Sequence, residues 1–589
     1  MKPQSAFVKQ LKNFISLANV PFSDRGSRLL VCEEEVGHKL CVKLAERLTS
    51  LQPGLHSYRE RTPLIAELTF IDEHLMPLPY KLTFYPHALL FKTRLGDFAL
   101  AFQDPATLSF SVAGAVTAGL RFRVRPQLWR DEKQGGQFKM VRNVAYRTNG
   151  RVAANEMVGT QDGHIVQFLV EAEKGTAVTL GVFGAEEPKP KVNPFPRTLR
   201  RAERRWHRWF ERAPEVADRY RLHYYYAWWI MGSGLVSARG ALAHEGMMPS
   251  KGHYVGVWHW DACFHAVAYR HIDTLLAANQ LRIMLDKQQS NGMIPDAIYD
   301  EGVIARLEDP LPAVVTKPPI IAWAAMKVYQ LNKDKSFLAE LYDPLVRRNS
   351  WWFGLNDDDA DGLAQYNHPF SSGLDDSPLW DEGMPVESPD LNTYLCLQME
   401  ALARMAEQLG KLDEAAMWER RSDALLRRML EDFYDPEAGL FWATKDHQPI
   451  TVVTPFNLYP LWTGKLPEEI AGKLIDHLTD PEEFWAEYPI PTVARNDTKY
   501  DNQRMWRGPT WINVNYILIE ALARSGRPKL AQELRDRTLA LLMKHKDMYE
   551  FYNPATGEPG PTAAPAFGWS AALFIDLAIR ASTREVIRP

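Results

Sequence analysis

The chain has 589 residues, more than one ordinary core holds at ~100 to 200 residues per domain, so two to four domains or one large ring-shaped fold are expected. Hydrophobic residues make up 46% and charged residues 24%, which excludes disorder as the dominant state, and 69 basic against 73 acidic side chains leave −4, with no basic excess to neutralise a phosphate backbone. No run approaches the ~20 apolar residues needed to cross a bilayer, and four cysteines without metal-type spacing favour a reducing compartment over a disulfide framework.

At the start, Lys2, Lys9 and Lys12 are followed by apolar stretches broken by polar residues and by no Ala-x-Ala-like cleavage site, so no secretory leader is read and the cytoplasm is the expected location. Up to about residue 185 the pattern has period two. Residues 108–112 and 120–124 alternate apolar and polar, and 165–170 and 177–182 are short runs bounded by Gly, which together predict an antiparallel β-sandwich. Four prolines within residues 186–196 break both helix and strand, so a β-rich domain over 1–190 and a helical domain over 191–589 are expected.

Beyond this boundary the period is that of helices. Helices are expected to begin near Arg197, Asp218, Asp261, Thr274, Pro319 and Lys335, then near Leu412, Pro467, Arg527 and Phe567. Leu391, Leu395, Leu402, Met405 and Leu409 share one face, with Asp390 placed to cap the start and Gly410 to end it. Residues 511–524 read as a helix buried on most sides, opened by Pro509 and closed near Gly526 and Pro528. About a dozen helices in antiparallel pairs make the fold mainly α, and twelve closed into a ring would form an (α/α)6 toroid.

The loops between these helices carry the polar chemistry. Gly256-Val257-Trp258-His259-Trp260-Asp261 sets an acid beside two indoles, a combination suited to a sugar, whose C–H faces stack on rings and whose hydroxyls pair with carboxylates. Asn291-Gly292-Met293-Ile294-Pro295-Asp296 and Lys317-Pro318-Pro319 have the same loop character, and Met505-Trp506-Arg507-Gly508 puts a guanidinium before a helix, where it could grip hydroxyls or form an ion pair. Asp357, Asp359, Asp361 and Gly362 fall at positions one, three, five and six of a calcium loop, but His368 stands where a bidentate Glu belongs, and a solvated acidic turn is the simpler account. His259, Cys263, His265 and His271 lie on a buried helix and fit core packing better than zinc.

Ser372-Gly373-Leu374-Asp375-Asp376-Ser377-Pro378 sets adjacent carboxyl groups in a Gly/Pro-bounded, aromatic-lined loop, where desolvation raises a carboxyl pKa towards what a general acid needs. Either Asp could be that acid. Tyr549-Glu550-Phe551-Tyr552-Asn553-Pro554 offers a second carboxyl among rings, and two carboxyls on opposite sides of a sugar are the minimal equipment for glycoside hydrolysis.

Taken in order, Val257-Trp258-His259-Trp260-Asp261, Gln289-Ser290-Asn291-Gly292-Met293-Ile294-Pro295-Asp296, Ser372-Gly373-Leu374-Asp375, Pro389-Asp390-Leu391-Asn392, Trp506-Arg507-Gly508-Pro509 and Glu550-Phe551-Tyr552-Asn553-Pro554 resemble glycoside hydrolase family 63. That family includes processing α-glucosidase I, bacterial α-glucosidases and hydrolases of mannosylglycerate and glucosylglycerate; more distantly the set is similar to trehalase. The resemblance implies an (α/α)6 toroid behind a β-rich domain and hydrolysis with inversion, Asp375 as general acid and Glu550 as the base that activates water. It implies a glycosyl subsite shaped by Tyr254, Trp258, Trp260, Asp261, Gly373 and Trp506, with Arg507 beside it. Three departures stand out: Ser371-Ser372 precede Gly373 where Glu-Ser is usual, Asp376 follows Asp375 where Asn is usual, and Lys317 replaces a common Gln, a cation that could favour an anionic aglycone.

The expected function is therefore an inverting, exo-acting α-glycosidase, foremost an α-glucosidase on a gluco- or manno-configured glycoside with a small aglycone, needing no cofactor beyond a structural calcium if one is held. The expected partner is a small carbohydrate, with neither nucleic acid nor membrane involved. A trehalase- or glucoamylase-like hydrolase, and a noncatalytic carbohydrate-binding protein on the same scaffold, are the alternatives.

Overall fold

The computed structural model describes residues 8–17, 19–34, 39–47, 61–112, 114–184 and 187–583; Lys2, on which part of the leader reading rests, and Glu186, the first residue of the proline-rich boundary, lie outside the described residues. Two compact units emerge. The first takes the chain up to Ala213 together with Arg221–Ser237 and Ser250–Val255, and the second takes Pro214–Tyr220, Ala238–Pro249 and the chain from Gly256 onward.

In the first unit the period-two stretches form two antiparallel sheets. One runs β1 (Leu29–Glu33), β2 (Leu40–Leu44), β3 (Ile65–Asp72), β8 (Thr117–Val124), β13 (Gly163–Glu171), β12 (Arg151–Thr160). The other runs β4 (Lys81–Tyr85), β5 (Ala88–Thr93), β6 (Gly96–Asp104), β7 (Thr107–Ser111), β14 (Ala177–Phe183), β11 (Asn143–Thr148), β10 (Gly135–Lys139), β9 (Leu128–Glu132). The alternation Leu120, Phe122, Val124 puts three buried side chains on one face of β8. Rings then cross from sheet to sheet: Phe70 of β3 lies 5.0 Å from Phe91 and 4.7 Å from Phe98, and Phe122 lies 5.8 Å from Tyr146. Each such side chain withdrawn from water contributes about 1.5–3 kcal/mol. Helix α1 (Phe195–Glu211) carries Pro196 in its first turn and buries Thr198, Ala202, Trp206 and Trp209, a stripe at helical spacing that packs on β6 and β7. Helix α2 (Arg221–Ser233) follows it, and the Trp209 indole donates to the Trp228 carbonyl at 2.8 Å.

The second unit is helical: α3 (His259–Tyr269), α4 (Thr274–Leu285), α5 (Ile321–Asn332), α6 (Lys335–Leu355), the single turn α7 (Pro369–Ser372), α8 (Pro389–Gln408), α9 (Leu412–Asp432), α10 (Glu468–Thr479), α11 (Ile512–Arg524), α12 (Pro528–Lys544) and α13 (Gly568–Ser582). Most begin within two or three residues of the expected positions. The start of α8 is a correction: its N-cap is Ser388, while Asp390 sits inside the first turn and accepts hydrogen bonds from Ser388 and from the Tyr366 hydroxyl. A 3-10 stretch, Pro455–Thr463, had no counterpart in the sequence reading; its two prolines mask the helical pattern, and a capping box at Thr454 and Asn457 starts it.

Among the described residues, α3, α5, α8, Pro455–Thr463, α11 and α13 pack one on the next, and α13 returns to α3. Five of these six have a second helix behind them, in the pairs α3–α4, α5–α6, α8–α9, Pro455–Thr463 with α10, and α11–α12. Burial separates the two sets. Every residue from Ile512 to Ala523 of α11 is buried, whereas α9 buries the stripe Ala415, Trp418, Ser422, Leu425, Leu426 and Met429 and leaves its other side to water. No helix of the described residues is long and apolar enough to cross a membrane.

Candidate active site

Single-turn helix α7 ends at Gly373, whose φ of +74° is in the left-handed region that glycine adopts without penalty. Space demands glycine as well, because a Cβ here would lie 2.4 Å from the Trp260 ring. The chain then turns tightly. Leu374 N donates to Ser372 Oγ at 2.9 Å, Ser377 N to Leu374 O at 2.9 Å, and the Trp380 indole to Leu374 O at 2.7 Å. Asp375 is presented from the middle of this braced turn. Its Oδ1 is covered and makes no hydrogen bond, yet the side chain as a whole is 41% exposed, which leaves Oδ2 as the oxygen able to meet solvent or a substrate.

Behind Asp375 lies a buried cluster of charge. Lys317, 5% exposed, donates to the Phe370 carbonyl at 2.5 Å, pairs with Asp296 Oδ1 at 3.0 Å and reaches to 3.9 Å from Asp375 Oδ1. Arg348 of α6 is fully buried against Trp351 and Trp352 and donates to Thr316 Oγ1 at 2.7 Å and to the Lys317 carbonyl at 2.9 Å, fixing the backbone that carries the lysine. Asp261, in the first turn of α3 and 4% exposed, completes the set. Three carboxyls here face one ammonium, so each makes the others harder to ionise. Burial pushes Asp375 up to about 6, with the Lys317 ammonium opposing and Asp296 and Asp376 adding to the rise. Asp261 is pushed up to about 7 by burial, against Lys317 and with Asp296 and Asp375, and burial likewise raises Asp296.

Asp376 is employed differently. Its Oδ1 accepts from the Trp506 amide at 2.8 Å, its Oδ2 lies 3.3 Å from Arg504 Nε, and its carbonyl accepts from Arg507 Nε at 2.9 Å. Arg507 spends its other nitrogens on both oxygens of Asp381. Through these bonds the loop that carries Asp375 is fastened to the loop before α11. From there an aromatic stack leads on: Trp506 lies 3.8 Å from Trp511, Trp511 lies 4.9 Å from Phe551, and Trp260 and Trp569 close the group edge-on at 5.4 Å. Strand pairing of Thr510–Trp511 with Phe551–Tyr552 locks that register. Glu550, next to Phe551 and 3% exposed, accepts from the Ala564 amide at 3.1 Å through Oε2, and its own amide donates to Ala564 O.

Asp375, Gly373, Trp260, Lys317, Trp506 and Arg507 are thus joined by contacts within the second unit, with Asp261 next to Trp260 in the chain and Glu550 next to Phe551 of the stack. Trp258 caps α3, with its indole 5.6 Å from Tyr299 and its side chain donating to Asp296. Tyr254 belongs to the segment Ser250–Val255 of the first unit, where its amide donates to Ser250 O at 2.7 Å. Trp260 and Trp506 are 4% and 1% exposed, so they brace the loops more than they offer open faces. Sequence reasoning left Asp296 and Arg348 out of the site: Asp296 was legible only as the end of a loop motif, and Arg348, mid-helix, carried no signal. In the acidic loop, Asp357 accepts from the Asp361 and Gly362 amides, and among the described residues the groups close enough to hold an ion together are Asp359, Asp361 and His447, with Arg428 already paired to Asp361.

The profile of the mannosylglycerate hydrolase MGH1-like glycoside hydrolase domain matches residues 254–570, more than half of the chain. The chain belongs to this glycoside hydrolase family. The hydrolase is 27% identical over 414 residues to mannosylglycerate hydrolase of Thermus thermophilus, a match covering 58% of this chain and 97% of that one. It is 23% identical over 413 residues to glucosylglycerate hydrolase of Mycolicibacterium hassiacum, covering 55% and 92%. Among solved structures, a bacterial glucoamylase complexed with acarbose superposes with a TM-score of 0.57 over 97% of this chain and 95% of its own, at 11% identity, a likeness of fold.

Proposed function

We propose that the hydrolase is an inverting, exo-acting α-glycosidase, foremost an α-glucosidase acting on a gluco- or manno-configured glycoside with a small aglycone. Asp375 is the general acid that protonates the departing oxygen, and Glu550 is the base that draws a proton from water on the opposite face of the ring. The observation that carries this reading is the state of Asp375: a carboxyl with one oxygen buried beside an ammonium, the other open, and a proton affinity raised to about 6, which suits an acid near neutral pH. Asp376 is the weaker candidate because its carboxylate is tied to the Trp506 amide and Arg504. The relatives that act on mannosylglycerate and glucosylglycerate support a glycoside of a small acid as the first substrates to try.

The closed circuit of six inner elements, five of them backed by a helix, supports an (α/α)6 toroid, with the loops at residues 372–381, 505–511 and 549–553 gathered at one mouth. The cytoplasm stays the proposed location on cysteine content. A calcium ion in the acidic loop of Asp357, Asp359 and Asp361, of which Asp359 and Asp361 lie close enough to share an ion, together with His447, is a separate proposal, checked by melting the protein with calcium and with a chelator; no step of the hydrolysis uses it. The test of function is proton NMR on mannosylglycerate, glucosylglycerate, trehalose, maltose and kojibiose. From α-linked mannosylglycerate or glucosylglycerate, whose aglycone is not a sugar, the β-anomer of the glycosyl unit is expected first, and initial release of the α-anomer from either overturns inversion; trehalose would give α- and β-glucose together under inversion.

A further inference from the structure

The Lys317 ammonium faces inward. Its neighbours are the Phe370 carbonyl, five residues ahead of Asp375 in the same loop, the Asp296 carboxylate and the otherwise unbonded Oδ1 of Asp375. We propose that Lys317 and Asp296 form a positioning pair for the reaction, in which the ammonium, anchored by Asp296, holds Asp375 Oδ1 and sets how readily Asp375 keeps its proton. This rests on the reading of Asp375 as general acid.

Two features of the geometry carry it. A buried cation within 4 Å of a carboxyl favours the ionised form, while a buried anion near it disfavours that form, so the two members of the pair act on Asp375 in opposite directions. Three other charged groups and two imidazoles face the pair: Asp376 neighbours Asp375 but is bound to the 504–507 loop, Asp261 of α3 interacts with Lys317, Asp296 and Asp375, Arg348 of α6 sits behind Lys317 on its carbonyl, and buried His259 and His368, which burial and the Lys317 charge hold below the usual imidazole range, do not add a charge near neutral pH. Asp375 must be protonated to act, so its proton affinity sets the alkaline limb of the pH profile. With the cation gone, that limb moves up; with Asp296 neutral, the ammonium is left to Asp375 and the limb moves down. A residue that merely supported the loop would lower activity at every pH without moving the limb.

The experiment is the pH dependence of kcat/KM for wild type, Lys317→Gln and Asp296→Asn on whichever glycoside of the panel is cleaved, with circular dichroism to confirm folding. Lys317→Gln is expected to raise the alkaline limb by roughly one to three pH units, and Asp296→Asn to lower it. Limbs that stay in place, or that move in the same direction in both variants, overturn the pairing. Should one variant fail to fold, the direction of the other decides. The two readings fail separately: Asp375→Asn with wild-type kcat removes the acid assignment, whereas an unmoved limb beside an inactive Asp375→Asn removes only the pair. If no glycoside is cleaved, unfolding at pH 5 and pH 8 decides, because Lys317→Gln leaves the cluster's carboxyls with a higher proton affinity. Its stability deficit against wild type is then expected to widen with pH, and a constant deficit overturns the proposal.

Discussion

Replacing Asp261 by Asn is expected to stabilise the protein above neutral pH while leaving it little changed in acid. Asp261 is 4% exposed in the first turn of α3, and burial, aided by Asp296 and Asp375 and opposed by Lys317, lifts its pKa from 3.8 to about 7. At ~1.36 kcal/mol per pH unit this is a cost of about 4 kcal/mol for the ionised form, and sharing one ammonium among three carboxyls reduces the recoverable part to about 2–4 kcal/mol. The folded pKa lies above the unfolded one, so the folded chain binds the extra proton between roughly pH 4 and 7, and stability falls as pH rises through that window. Asn keeps the shape and has no proton to lose. Denaturant unfolding of both proteins, or melts at a matched scan rate, at pH 4.5, 6 and 8 should show a difference that grows with pH in favour of the variant. A difference that is constant, or that turns against Asn at pH 8, would refute the account of the cluster as proton-sharing.

Asp375→Asn and Glu550→Gln should each lower kcat by about 10²–10⁴-fold with the fold retained by circular dichroism, and either variant with wild-type kcat has been given the wrong role. With Asp375 pushed up to about 6, activity requires its protonated form and should decline as pH rises past about that value, read as the alkaline limb of kcat/KM. Gly373→Ala should cost about 2–5 kcal/mol, about 1–2 for the left-handed backbone and about 1–3 for driving Trp260 aside; a melt within a degree of wild type would show that the turn relaxes.

Much of the scaffold was legible in the chain because local patterns record which face of an element is buried. The alternating and short apolar runs became β7, β8, β13 and β14, and α4, α6 and α9 begin at the expected Thr274, Lys335 and Leu412. The 3-10 stretch Pro455–Thr463 escapes because its prolines imitate a loop, and the cap is ambiguous between Ser388 and Asp390 because both residue types cap helices and stand two positions apart, with Pro389 at the first helical position deciding for Ser388.

The chemistry divides in the same way. Residue types alone marked Asp375 and Glu550 as carboxyls in aromatic turns and Trp260, Asp261 and Trp506 as their company, since desolvating surroundings can be seen in composition. Which of two adjacent aspartates stays open, whether Lys317 looks outward to a ligand or inward to Asp296, and that a mid-helix Arg348 holds the lysine's backbone are matters of distance between segments far apart in sequence. Those distances come from packing, and one chain's order of residues does not encode them in any local pattern.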